Sequence, residues 1–506
     1  MGKMTKRIMA LTLTVVMVMT VAACGDSGKE NGTSVDDKTE SSEGSRTDTP
    51  ADDGTGAADQ TGTKAAESTE TGTEDVYELG SWVFAEDPAA ISGTVRFYIP
   101  FKGNQGMDDM IAEFNETYPN ITIDLHTFSN NSDGNVGVNA AIMAGEVDVL
   151  ASFGLSHTNK RWEGGMFLPL TDYIEKYGID ILKEWGSDKY VYDGEYYTFP
   201  CGGLGNYVAI NMTDWNSAGL GELPTEWTWD EYLEASRKMT QKDADGNVLV
   251  YGGSDYYSIN YYTYPWYQVY GHDQYYTEDG TASNFTDPLI VNALQREIDA
   301  EQVEKIWYPL TAYRADGSNA AGMYLQHYTA STIICNLLRY LRDQETYPVD
   351  WITGFAPYPV EEKGQKNYME GIPIYSHAGI CTGVQDEEAA WYWLAWYSTH
   401  GVKYLVNAGH ASAWKGTDPE SIVDLVFGSR EEAEKLVDLE SFERVVTNYE
   451  AEAYVDTYLW AYSELASICN EYGMYAHQGT MTVEEAMAAA KEEADKEIQK
   501  AIEEAK

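Results

Sequence analysis

The densest concentration of side chains with binding chemistry lies in residues 256–276, YYSINYYTYPWYQVYGHDQYY, ten of which are tyrosine or tryptophan. Such rings offer an apolar face that stacks on a sugar and an edge hydroxyl or indole N–H that bonds to its hydroxyl groups. The same rings can equally cover a core. Carboxylates are the second resource: 82 acidic residues stand against 33 basic ones, a formal charge of −49. That balance repels nucleic acid and anionic lipid headgroups and excludes both as partners of the folded part. A glycoside hydrolase would need two carboxylates about 5–10 Å apart across a sugar, and acids are plentiful enough to supply such a pair. The chain has no HExxH, no GxSxG and no phosphate-binding glycine loop, and its eight histidines are scattered. No catalytic or metal constellation and no cofactor is implied. Asp243, Asp245 and Asn247 surround Gly246, but the glycine is fourth in the run where a calcium loop needs it sixth, so a polar turn is expected. Cys201, Cys335, Cys381 and Cys469 form no CxxC motif and leave two disulfides in any of three pairings, or free thiols, open.

The elements that position these groups start at residues 94–99, read as a strand. Met107, Met110, Ile111 and Phe114 follow at helical spacing, and Ile121, Ile123 and Leu125 alternate at period two. A helix near 135–144 and a strand at 147–153 complete a β, α, β, α, β order, which implies a mainly parallel sheet under helices. Ligands of such sheets sit beyond the carboxyl ends of the strands, here the loops 100–106 and 154–164, which carry Phe101, Lys102, Gln105, His157 and Trp162. Residues 193–220 read as a crossing to a second folded half. Asp193-Gly194 is a hairpin turn, Pro200 stops the strand, Gly202, Gly203 and Gly205 give pivot freedom, and 207–210 resumes as a strand. Beyond it, Thr228 with Glu231 is a capping box and Asp287-Pro288 is a helix start. Residues 329–334 read as a strand, with Asn336 and Arg339 at the start of the next helix. A strand, strand, helix set is expected over 351–358, 378–384 and 387–398. Tyr458, Trp460 and Tyr462 lie on a later helix, and Thr482 with Glu485 opens a terminal helix with Met487, Ala490, Ala494, Ile498 and Ile502 on one face.

The N-terminus reads as a leader. Lys3, Lys6 and Arg7 precede an apolar run over 8–21 that is shorter than the roughly 20 residues of a membrane-spanning helix. Val21-Ala22-Ala23-Cys24 resembles the bacterial lipobox, which implies cleavage after Ala23 and a diacylglycerol on Cys24, a two-chain anchor. Residues 25–80 are Ser, Thr, Gly, Asp and Glu with almost no large apolar side chain, a flexible tether with a reach on the order of 40 Å.

In this order IAEFNETYPNITIDL, WEGGMFLPLTDYI, DGEYYTFPCG, INMTDWNSAGL with LPTEWTWDEY, and EEAAWYWLAWYSTHGVKYLVNAG resemble the extracellular solute-binding proteins of carbohydrate ABC importers, the group of maltose-binding protein. The resemblance covers 93–506. Asp148 lacks the proline that usually precedes it, and His327-Tyr328-Thr329-Ala330-Ser331 replaces the group's Gly-Lys-Ala-Ala-Met run. It implies an α/β fold of two lobes, each a mainly parallel sheet flanked by helices. One would comprise 93–205 plus about 351–400, the other 206–350 plus about 401–506, joined by hinge strands. Carried over by position, the ligand contacts are Phe101, Lys102, Trp162, Tyr257, Trp266, Arg339, Tyr458 and Trp460. The implied function is a monomeric, lipid-anchored receptor on the extracytoplasmic face of the membrane of a Gram-positive bacterium. It would capture a sugar or oligosaccharide and deliver it to importer permease subunits. A non-sugar solute on the same fold, or a surface glycan-binding protein or glycoside hydrolase, is the alternative.

Overall fold

The computed structural model describes residues 77–254, 259–312, 320–334, 336–457 and 460–504. The leader, Cys24, most of the expected tether, Tyr257, Tyr458 and Cys335 lie outside the described residues. The fold is mixed α/β, built on two main sheets.

In the first half, β1 (Gly93–Ile99) pairs in parallel with both β2 (Ile121–Thr127) and β3 (Val149–Phe153). Val95, Phe97 and Ile99 are buried on one face of β1. Phe97 meets Trp393 of the helix Glu387–Tyr397 at 5.1 Å, so strand alternation becomes one wall of the core. The intervening helices, Met107–Thr117 and Ser132–Met143, match the expected β, α, β, α, β order. The hairpin at Asp193-Gly194 joins β4 (Val191–Tyr192) and β5 (Glu195–Tyr196). Two further strands follow, β6 (Phe199–Gly203) and β7 (Tyr207–Asn211), and they belong to different sheets. The chain therefore crosses between sheets over residues 204–206.

A short hairpin of β8 (Gln241–Lys242) and β9 (Val248–Val250) encloses Asp243, whose carboxylate accepts from the backbone N–H groups of Asp245 and Asn247 at 2.9 and 2.8 Å and from the Asn247 side chain at 2.9 Å. This is the polar turn the spacing indicates. β10 (Ser331–Ile334) and β11 (Thr353–Pro357) both pair antiparallel with β7. Two expectations are corrected here. Neither sheet is mainly parallel: the first is mixed, parallel at β1–β2 and β1–β3 but antiparallel in every pairing on the other side of β3, and the second is antiparallel throughout, because its outer strands run back along β7. And β11, assigned by position to the first lobe, lies in the second sheet. The return crossing falls between Pro357 and β12 (Ser376–Ile380), which pairs antiparallel with β3 and β6. A third crossing follows β13 (Ala411–Ser412), paired with β6, and leads to the helix Pro419–Phe427, whose Ile422, Val423 and Val426 pack in the second core.

Both capping boxes form: Thr228 and Glu231 exchange bonds of 3.0 and 3.3 Å, and Thr482 and Glu485 bonds of 3.0 and 3.2 Å. The terminal helix Val483–Glu504 buries Met487, Ala490, Ala494 and Ile498 against the helix Tyr462–His477. Cys201, Cys381 and Cys469 are buried free thiols whose ionisation burial pushes up. No helix among the described residues is long and apolar enough to cross a membrane.

Candidate functional site

Because β1 and β3 lie side by side in parallel, their carboxyl ends emerge together, and aromatic rings meet there. Phe101 meets Phe153 at 4.8 Å, and both rings meet His410, at 5.1 and 5.2 Å. His410 precedes β13, so the pairing of β13 with β6 delivers it to this point. Burial, with the Arg339 guanidinium nearby, pushes the His410 imidazole down to about 3. It is a neutral ring at neutral pH, and its buried Nδ1 has no hydrogen-bond partner.

From the second sheet, β10 leads to the short helix Leu338–Leu341, and Asn336 and Arg339 close on Gly409. A Cβ on Gly409 would lie 3.1 Å from Arg339 Cδ and 3.2 Å from Asn336 Cβ, and the residue holds φ at +90°, so glycine is required for both reasons. Arg339 is exposed, its guanidinium 4.9 Å from the Tyr340 ring. Lys102 is exposed, and its backbone N–H is tied by the Gln105 side chain at 2.9 Å.

At the start of the β3 loop, a Cβ on Gly154 would lie 3.6 Å from both the Tyr375 hydroxyl and the His157 ring. The Gly154 N–H donates to the Tyr375 carbonyl at 3.2 Å. His157 is held below the usual histidine range by burial and by Arg161 and Lys160. The two imidazoles thus act as uncharged rings beside aromatic and cationic neighbours.

Through His410 and Gly409 the structure thus brings Phe101 and Arg339 to one corner, with Lys102 next to Phe101 in the chain. Trp162 is 7% exposed and packs into the core beside His377 and Tyr192, at 5.8 and 6.5 Å. Trp266 is 5% exposed and packs against Tyr270, ring centroids 4.2 Å apart and tilted. Both are packing residues in this conformation, because each lies inside a helix whose apolar face is covered. Trp460 is 39% exposed, and its carbonyl oxygen accepts from the Tyr276 hydroxyl at 2.7 Å. Tyr375 and His410 escape a reading by sequence. Their only local signals are a tyrosine before a strand in GIPIYSHAGI and a histidine after Gly409.

Two spaces adjoin these residues. A cavity of about 20 Å³ lies where the crossings meet, lined by Asn206, Tyr207, Glu370, Gly409 and His410 among others; it has room for about one water. An open groove of about 460 Å³ lies at the carboxyl ends of β1 and β2, lined by Tyr98, Phe128, Ser129, Asn131 and Asp133 and by the helix Ser132–Met143. The Phe128 N–H donates to the Ile99 carbonyl at 3.4 Å, placing this groove beside the loop that carries Phe101. Among the described residues, no group of three or more His, Cys, Asp or Glu is placed to hold a metal ion.

Two sheets exchanging strands through three crossings, with aromatic and charged side chains meeting from both, define a two-lobed binding protein. The chain belongs to the bacterial extracellular solute-binding protein family, whose model matches residues 100–404. No curated protein sequence matches it. Among solved structures, a sugar transporter of Rhizobium etli in an open conformation aligns with TM-score 0.63 at 12% identity, over 81% of this chain and 99% of that one. An ABC substrate-binding protein of Listeria monocytogenes in complex with cycloalternan aligns with TM-score 0.61 at 18% identity, over 82% and 100%. The maltose/maltodextrin-binding domain of Bdellovibrio bacteriovorus bound to maltotriose gives TM-score 0.56 at 15% identity, over 80% and 100%. At these identities the likeness concerns the fold.

Proposed function

We propose that the protein is the lipid-anchored receptor of a carbohydrate ABC importer, holding a sugar or oligosaccharide between its two sheets and delivering it to the permease subunits. The observation that carries this reading is the meeting of Phe101 and His410 from the first sheet with Arg339 from the second. Contacts from both sides are what a closing receptor needs, since a ligand stabilises the shut state only by its differential affinity for it. The lobe division follows the crossings: residues 93–203 with 376–412 around the first sheet, and 207–357 with the segment after 412 around the second. Cys24 and the acidic segment behind it fit an anchor and spacer, with the receptor working as a monomer.

A soluble form starting near Asp75 is expected to bind at least one member of a sugar panel saturably, read by tryptophan fluorescence and thermal shift. A micromolar site corresponds to about −8 kcal/mol. Phe101→Ala should weaken it on the order of tenfold by removing a stacking face. Release of free product from any glycan would point to a hydrolase. A response to peptides, polyamines or metal but to no sugar would end the carbohydrate assignment and leave the receptor.

A further inference from the structure

Residues 454–457 lie along the loop 271–276 that follows the helix Tyr264–Tyr270, and the two segments exchange bonds in both directions. The Val455 N–H donates to the Gly271 carbonyl at 2.9 Å. The Asp273 carboxylate, 1% exposed, accepts the Thr457 N–H at 2.5 Å and the Thr457 hydroxyl at 2.6 Å. In return the Asp456 carboxylate accepts the Gln274 N–H and the Tyr462 hydroxyl, and the Tyr267 hydroxyl lies 2.7 Å from each of its oxygens. Tyr454 stacks on Tyr267 at 4.0 Å, closing the junction from the side. Two carboxylates therefore hold one junction, each tied to the residue beside the other.

The charges around Asp456 come from every neighbouring element. The helix Tyr264–Tyr270 supplies Tyr267, the loop supplies His272, Asp273 and Tyr276, and the helix Tyr462–His477 supplies Tyr462 and Glu464, which faces Tyr276. The largest influences on Asp456 are burial, Tyr267, Asp273, the Gln274 N–H and Tyr462, none of them a lysine or arginine. His272, whose Nδ1 lies 2.9 Å from Asp273 Oδ2, gains charge only in acid. Burial and the Asp273 charge push the Asp456 carboxyl up to about 7, against the pull of its three donors.

We infer that residues 454–457 form a pH-sensitive clasp on the loop 271–276: a proton on Asp456 keeps it shut, and loss of that proton, which sets two like charges on one junction, loosens it. The clasp is independent of the solute bound at the site. Trp460 lies just beyond it, its carbonyl accepting from Tyr276 of the same loop at 2.7 Å, so the clasp governs how the chain enters the helix Tyr462–His477. Because its value is raised on folding, Asp456 lends the clasp its full stability below about pH 4, loses it progressively as pH rises, and has little left to lose above about pH 7.

Native-state hydrogen exchange of the chain expressed from Gly25 onward, at pH 5.5, 7 and 8.5 and corrected for intrinsic rates, tests this in peptides covering 454–457 and 271–276. Protection there should fall on the order of tenfold between pH 5.5 and 8.5, with most of the fall complete by pH 7, while peptides of β1 to β3 hold theirs. Asp456→Asn should remove the pH dependence, and Asp273→Asn should move the fall to lower pH. His272→Gln should leave the fall in place. Protection in the wild-type chain that does not change with pH overturns the inference without any variant, and so does a fall that persists in Asp456→Asn or disappears in His272→Gln.

Discussion

Gly203→Ala is expected to lower stability by about 3–5 kcal/mol, in the range of substitutions that force backbone apart in a packed core. A Cβ at Gly203 would lie 1.6 Å from the Pro373 carbonyl oxygen, a backbone atom of the second crossing. At the neighbouring Gly202 it would lie 2.6 Å from the Ala411 carbonyl oxygen of the paired strand β13. The end of β6 therefore packs main chain to main chain against both the second crossing and its partner strand β13, and no side chain fits between them. Gly205 is the internal control: its added Cβ would meet only Ile372 Cδ1, at 3.0 Å, the end of a side chain able to swing away. Denaturant unfolding should show a large midpoint loss for Gly203→Ala and a small one for Gly205→Ala. Equal losses would mean that the crossings are not packed as described.

The second large effect is expected at Glu184. Its carboxylate is fully buried and accepts the Gly80 N–H at 3.0 Å, the Trp82 indole N–H at 2.7 Å and the Trp414 indole N–H at 2.5 Å. One anion therefore ties the segment entering from the tether to residues just beyond β13. Trp82 itself packs edge-on and tilted among Trp185, Phe199 and Trp391 within 6.2 Å. Glu184→Ala leaves three buried donors unsatisfied, which should cost about 3–5 kcal/mol. Trp82 should become more solvent-exposed in fluorescence, and the chain near Gly80 should become open to proteolysis. Glu184→Gln, which keeps an acceptor, should do less harm. An unfolding temperature unchanged in Glu184→Ala would refute this role.

These residues show where reading the chain by eye succeeds and where it stops. Capping boxes, the Asp193-Gly194 hairpin and the first five elements are legible because their partners lie a few residues away. The glycines at 202, 203 and 205 are legible as special, but their cause is not. None of the three has a left-handed φ, and they serve close approach to crossings some 170 and more positions further on, not free rotation. Trp82 falls at the boundary between tether and first strand, where no periodicity reveals that Glu184 lies 102 positions away. Phe101, Lys102 and Arg339 can be singled out as candidates from the sequence because strand ends and helix starts are local features. Trp162 and Trp266 mislead because an aromatic on a short helix looks the same whether it faces a ligand or a core. His410 and Tyr375 reach the site only through antiparallel pairing of β13 and β12 with distant strands, which local pattern does not encode. The antiparallel second sheet is missed for the same reason.

The claim that unites the crossings with the residues around Phe101, His410 and Arg339 is that a saccharide is held by closure of one sheet-bearing half onto the other. Small-angle X-ray scattering of the soluble form, without and with a saturating saccharide identified by titration, tests it most directly. Closure predicts a smaller radius of gyration in the bound state, lost together with affinity in Phe101→Ala. An unchanged radius of gyration at proven saturation would contradict it.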